Sequence, residues 1–136
     1  MLTLYHMWLS PFCRKVRVAL AEKNVEFSLS LEKVWERRET FVHMNPTGEV
    51  PVLVENDGTV LADSNAICEY LDETRPDNRL IGFDPHERAE TRRLTAWFDI
   101  KFNKEVSRYL LEEKFMKRFM AMGEPDSQAI RAGSAN

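Results

Sequence analysis

The sequence predicts an α/β domain over residues 1–80, in the order β-α-β, irregular helix, β-β-α, followed by an incomplete all-helical domain over residues 84–136. Three observations predict it. Apolar residues alternate between a period of two and a helical period through the first eighty residues, which marks strands and helices in turn. Ser10-Pro11, Asp63-Ser64 and Asp84-Pro85 each put a capping oxygen at the head of a helical pattern. Beyond residue 84 the pattern is helical only, and it carries more aromatic residues than one or two helices can bury.

Leu2, Leu4 and His6 alternate with Thr3 and Tyr5 and give a first strand. After Ser10-Pro11 a helix puts Val16, Ala19 and Leu20 on one face, with Arg14, Lys15, Glu22 and Lys23 largely elsewhere. Val25, Phe27, Leu29 and Leu31 alternate as a second strand with one buried side, which completes a parallel βαβ unit. Lys33 to Met44 is mixed, with Trp35 and Phe41 as anchors, and Asn45-Pro46-Thr47-Gly48 is dense turn chemistry. Pro51 to Val54 and Val60 to Ala62 form a hairpin around Asp57-Gly58. Ile67, Tyr70 and Leu71 share a face of the helix that follows Asp63-Ser64, and Leu80-Ile81 closes the first domain. Asp84-Pro85-His86-Glu87 opens the helical part. Leu94, Trp97, Phe98, Phe102, Val106, Tyr109, Leu110, Phe115, Phe119 and Met122 continue it, and Asp126 begins a further helix that lacks apolar partners. The uncovered stripe predicts a fragment, an early-terminated product or an oligomer that hides it.

Of 136 residues, 43% are apolar and 30% charged, and the net charge of −3 excludes a general affinity for nucleic acid or acidic membranes. The apolar runs are far too short to span a bilayer. Met1 leads straight into a strand, with no leader pattern. Cys13 and Cys68 are too few for a disulfide framework, and their neighbours do not suggest a metal site, so a reducing cytoplasm is expected.

Three short constellations carry the chemistry. Ser10-Pro11-Phe12-Cys13 places a hydroxyl and a thiol at a helix N-terminus, whose unpaired amides favour negative charge. Ser10 there is either a plain N-cap or a hydroxyl poised beside an anion. Asn45 to Leu53 leads through Val50-Pro51 into a strand, and a cis bond there would leave the Val50 backbone open to an extended ligand. Asp63-Ser64 is either an N-cap or a grip for a carboxylate and an ammonium group.

In this order and spacing, SPFCRKVRVALAEK, NPTGEVPVL and LADSNAICEYL resemble the glutathione S-transferase superfamily, and the resemblance extends over nearly the whole chain. It implies a thioredoxin-like glutathione domain followed by an all-helical domain, with glutathione as co-substrate, no metal, and a homodimer as the usual state. By the resemblance, Ser10 activates the glutathione thiol by donating a hydrogen bond to the thiolate. Val50 pairs through its backbone with the cysteinyl part, Pro51 is the cis-proline, and Asp63 and Ser64 grip the γ-glutamyl end. Tyr5 is expected to be structural. Cys13 stands at the second position of a glutaredoxin-like pattern with Ser10 in the first, so a dithiol mechanism is absent and Cys13 alone is the candidate for redox chemistry.

Glu49 departs from the pattern, because many family members carry lysine or glutamine there to hold a glutathione carboxylate. A glutamate opposes that charge unless it turns away or pairs with Lys33, Arg37 or Arg38. His6 and His43 read as structural or surface residues, Trp97 and Phe98 as core, and Glu36 to Glu39 as a solvated face. Two functions follow. One is conjugation of glutathione to small electrophiles, weak or absent in a chain of this length. The other is a non-catalytic transferase-like interaction protein. LLEEKFMKRFMAMGEPDSQAIRAG resembles an alphaproteobacterial group that includes a cell-division factor binding the tubulin-like division protein.

Overall fold

Strands β1 (Leu2–His6), β2 (Phe27–Leu31), β3 (Val52–Val54) and β4 (Val60–Ala62) form one mixed sheet in the order β2-β1-β3-β4. The computed structural model describes residues 1–136, which divide into two compact units, Met1–Ile81 and Gly82–Asn136. β1 pairs in parallel with β2, from Leu2 against Phe27 to His6 against Leu31, and antiparallel with β3, Tyr5 against Val52. The parallel pair needs a crossover, and α1 (Pro11–Glu22) supplies it. The expected order of elements is present: α2 (Glu39–Met44) follows a short 3-10 turn at Val34–Glu36, and α3 (Ser64–Thr74) follows the hairpin.

Leu2, Leu4, Val16, Ala19, Leu20, Leu53, Ile67 and Leu71 form one core between the sheet and helices α1 and α3. Each lies at a position that the strand or helix period turns inward. β2 departs from the expected one-sided burial. Val25 and Phe27 pack on the core, but Leu29 and Leu31 are 40% and 57% exposed because β2 is the sheet's edge. Phe41 is fully buried as expected, whereas Trp35, expected as a second anchor, is 37% exposed.

The second unit begins with α4 (Pro85–Ala96). Its N-cap Asp84 accepts from the His86 and Glu87 amides, and Glu87 accepts in turn from the Phe83 amide. The helical path continues through wide π-type turns at Trp97–Ser107, α5 (Arg108–Leu111), further π-type turns at Glu112–Met116 and α6 (Lys117–Phe119). Spacings of four and five, as from Trp97 and Phe98 to Phe102, suit a π turn as well as an α turn. Trp97, Phe98 and Phe102 touch one another through their rings. They are not core, contrary to the expectation for Trp97 and Phe98, which are 41% and 55% exposed. No apolar side chain in Gly82–Asn136 is buried, since nothing in this unit covers the stripe.

The last helix, α7 (Ser127–Ala135), does acquire a partner. The Asp126 amide donates to Glu113 at 2.5 Å, and the Asn136 side chain donates to the Glu105 carbonyl at 2.9 Å. Between these ties Gly133 is buried, and a Cβ there would stand 2.8 Å from the Tyr109 Cβ and 3.3 Å from the Val106 carbonyl oxygen. Alanine normally favours a helix over glycine by about 1 kcal/mol. The clash is with backbone and a side-chain root, so it outweighs that gain. Gly133→Ala is therefore expected to weaken α7 docking by about 1–3 kcal/mol. Amide exchange of residues 130–135 would be faster in the variant, and slower exchange would refute the close approach.

Candidate glutathione site

Three elements that follow one another around the sheet bring their ends to one cleft of about 290 Å³, lined by Phe12 of α1, Asn45, Thr47, Glu49, Val50 and Pro51 before β3, and Ala62, Asp63 and Ser64 at the β4–α3 junction. The sheet thus gathers residues from all three constellations of the sequence, although Phe12 and Ser64 lie 52 positions apart.

Each wall has a local cause. Val50-Pro51 is a cis peptide, and β3 pairing begins only at Val52. The Val50 amide and carbonyl therefore have no partner within the chain. Also lining the cleft, Asp63 caps α3, its Oδ1 accepting from the Asn65 amide at 2.8 Å and the Ala66 amide at 3.0 Å. Its φ of +75° and ψ of 128° lie outside the regions a side chain normally allows. Such a conformation persists where surroundings impose it and is found most often at ligand sites. It seats Ser64, which is buried and lines the cleft.

Ser10 stands at the head of α1 and is not itself a lining residue, although Phe12 is. Its hydroxyl accepts from the Cys13 amide at 3.2 Å, so the plain N-cap role is realised. A hydroxyl that accepts still has its proton to give, so capping and donation to an anion are compatible. Cys13 is fully buried, and burial pushes its thiol above the ordinary value, outweighing contacts with Ser10, Met7 and Arg17 that act the other way. A redox cysteine requires an accessible thiolate; burial denies Cys13 access and disfavours its thiolate.

Around the cleft, Asn45 is buried and donates to the Glu49 carbonyl at 2.8 Å, while the Glu49 amide donates to Thr47 at 3.3 Å. The Glu49 side chain is exposed and forms none of the pairs considered for it. Lys33 holds Glu36 at 3.4 Å, and Arg38 holds the buried Glu32 at 2.5 Å. Arg37 instead lies against Gly48, its guanidinium 3.2 Å from where a Cβ would stand, and has no acidic partner in the chain. Gly48 has φ +71°, which glycine tolerates and which opens the room. From the sequence Arg37 is only a candidate partner for Glu49. The signal for its seat is the glycine eleven residues on, which becomes informative only once the turn is folded.

Of the other residues singled out, the Tyr5 ring lies 5.8 Å from that of Phe41. His43 is exposed and contacts the Glu39 carbonyl. His6 is buried at the end of β1. Burial first, and the Arg17 charge second, hold its pKa below the ordinary value, which leaves a neutral ring.

These elements match known proteins throughout. Residues 4–79 match the glutathione S-transferase N-terminal domain. "FtsZ-localized protein A" of Caulobacter vibrioides is 46% identical over 134 residues, covering 96% of this chain and 59% of that protein. The crystal structure of a glutathione S-transferase from Rhodospirillum rubrum F11 is 56% identical with a TM-score of 0.98, covering 100% of this chain and 61% of that one. A glutathione S-transferase from Methylobacillus flagellatus KT, solved with glutathione bound, is 32% identical with a TM-score of 0.71, covering 99% of this chain and 64% of that one. The chain thus spans about three fifths of the length of these relatives. A thioredoxin-like sheet, a cleft assembled from three motifs in family order, and a domain match over more than half of its residues place this chain in the glutathione S-transferase superfamily.

Proposed function

We propose that residues 1–80 bind glutathione and that the whole protein, of which residues 84–136 form part of the helical domain, adds its thiolate to small electrophiles. The carrying observation is that the free Val50 backbone and the strained Asp63-Ser64 helix start line one cleft. An extended peptide can pair with Val50 as an added strand. The Ser64 hydroxyl and the α3 amides suit the γ-glutamyl carboxylate, and the Asp63 carboxylate suits its ammonium group. Pro51 shapes the floor beside them. Ser10, with its proton free, is the group proposed to lower the thiol pKa. Arg37 offers the positive charge that Glu49 withholds, for a carboxylate at the glycyl end. No metal enters this reading.

Calorimetry with reduced glutathione tests it. Binding at millimolar affinity or better is expected. Ser64→Ala should weaken it roughly 10–100-fold, as loss of one hydrogen bond to a charged group would. Absence of heat in the unmodified chain would sink the proposal.

A second reading rests on the 46% identity to FtsZ-localized protein A and on the unpaired Glu49, which opposes an anionic ligand. Under it the protein is a non-catalytic partner of a tubulin-like division protein. Co-sedimentation with filaments of that protein, undiminished by Ser64→Ala, would favour this alternative over conjugation. Either reading fits a homodimer in a bacterial cytoplasm.

A further inference from the structure

The β1–α1 loop, Met7 to Ser10, is held from behind by two side chains one turn apart on α1. The Met7 amide donates to the Cys13 sulfur at 3.5 Å, and the Ser10 amide donates to the Met7 carbonyl at 3.3 Å. Arg17 makes the larger set. Its Nη1 donates to the His6 Nδ1 at 3.0 Å and to the Met7 carbonyl at 3.3 Å, and its Nη2 donates to the Trp8 carbonyl at 3.3 Å. The guanidinium also lies 5.1 Å from the centre of the Trp8 ring, which stands edge-on to His6.

Half-buried arginines usually meet a carboxylate. Here every partner is a neutral group of β1 or of this loop. The planar fork reaches three acceptors at fixed angles, which a point charge does not. The neutral His6 ring supplies the lone pair that the first of these bonds requires. The loop that ends at Ser10 therefore takes its position from Arg17, while no atom of Arg17 lines the cleft.

We infer that Arg17 is a positioning residue for Ser10, bracing the Met7–Ser10 loop through His6, Met7 and Trp8. The brace stands on the structure alone. Its consequence for chemistry rests on the glutathione reading proposed above.

Two measurements on Arg17→Gln separate these layers. Glutamine has too few donors to hold all three acceptors, so the Met7 and Ser10 amides should exchange about tenfold faster while β1–β2 amides hold. The thiol of bound glutathione, followed by thiolate absorbance against pH, should titrate about one unit higher, with affinity changed by less than about threefold because Val50 and Ser64 are untouched. Arg17→Lys should show both effects at reduced size, and it carries the test should the glutamine variant not fold. Unchanged loop exchange overturns the brace whatever glutathione does. Faster exchange with an unmoved thiol titration makes Arg17 merely structural and overturns the positioning role. If the unmodified chain binds no glutathione, the site reading and the role of Ser10 fall together, and loop exchange still decides the brace.

Discussion

Replacing Asp72 by Asn should lower the unfolding free energy by about 3–5 kcal/mol, the cost of leaving one member of a buried ion pair without its counter-charge. Asp72 and Lys23 meet at 2.9 Å with both side chains essentially inaccessible. Lys23 also donates to the Arg75 carbonyl at 2.8 Å and the Asn78 carbonyl at 3.2 Å. Asp72 accepts from the Leu80 amide at 2.8 Å and the Ile81 amide at 3.4 Å. The pair thus ties the ends of α1 and α3 to the segment that closes the first unit. Asparagine keeps the shape but only one acceptor oxygen, so the variant removes the charge and also turns an amide NH2 toward a donor that Asp72 now satisfies. Removing both partners for apolar residues, which is near neutral at many buried pairs, should not rescue this one. It would strand the four backbone groups that the pair satisfies, at about 1–3 kcal/mol each.

The same pair predicts the acid limb of stability. Burial alone would raise the Asp72 carboxyl, but the Leu80 amide and the Lys23 ammonium together hold it below its ordinary 3.8. The folded state therefore binds this proton less readily than the unfolded chain does. Its contribution is complete above the unfolded value of 3.8 and is lost as pH falls through the lower folded value. Urea unfolding of the unmodified chain should show a stability loss below about pH 4 that is shallower in Asp72→Asn. Parallel profiles would contradict the assigned ionisation.

Much of this fold was legible because local signals agreed with one another. Ser10-Pro11, Asp57-Gly58 and Asp63-Ser64 name their turns and caps by chemistry that acts within four residues, and β1 and α1 carry clean periods. Burial is not legible in the sequence where it depends on what lies across a gap in the chain. Leu29 and Leu31 have the alternation of a covered strand, yet β2 is an edge. Trp97 and Phe98 have the spacing of core residues, yet no element of their unit covers them. The Lys23–Asp72 pair gave no sign at all, because two charged residues forty-nine apart reveal partnership only when α1 and α3 pack together. At the site, the residues of the motifs were readable by type and order. The unpaired Val50 backbone, the positive φ of Asp63 and the seat of Arg37 on Gly48 are facts of conformation.

Phe41→Ala should cost a comparable 3–5 kcal/mol, roughly what truncating a buried phenylalanine to leave a cavity costs, and should also damage the cleft. Phe41 is the one buried residue of α2, 1% exposed, and its ring meets Tyr5 on β1. A six-residue helix has no stability of its own, since nucleation consumes most of what so few hydrogen bonds return. Its position therefore depends on this ring, on the Arg38–Glu32 pair at 2.5 Å and on the Asn45 contacts that follow it. Arg38 is about half exposed while Glu32 is buried, so solvent screens the pair only in part. The fully buried ring supplies the apolar part of the hold. Because the chain runs directly from α2 into Asn45, Thr47 and Glu49, slack in the helix passes to one wall of the cleft. The expected result is a lower urea midpoint at unchanged slope, together with faster exchange of the Gly48 amide, which donates to the Asn45 carbonyl at 2.8 Å. An unchanged midpoint with loss of protection confined to residues 39–49 would instead make α2 a separately opening segment. The cleft wall would then be a mobile element resting on a rigid sheet rather than a continuation of the core.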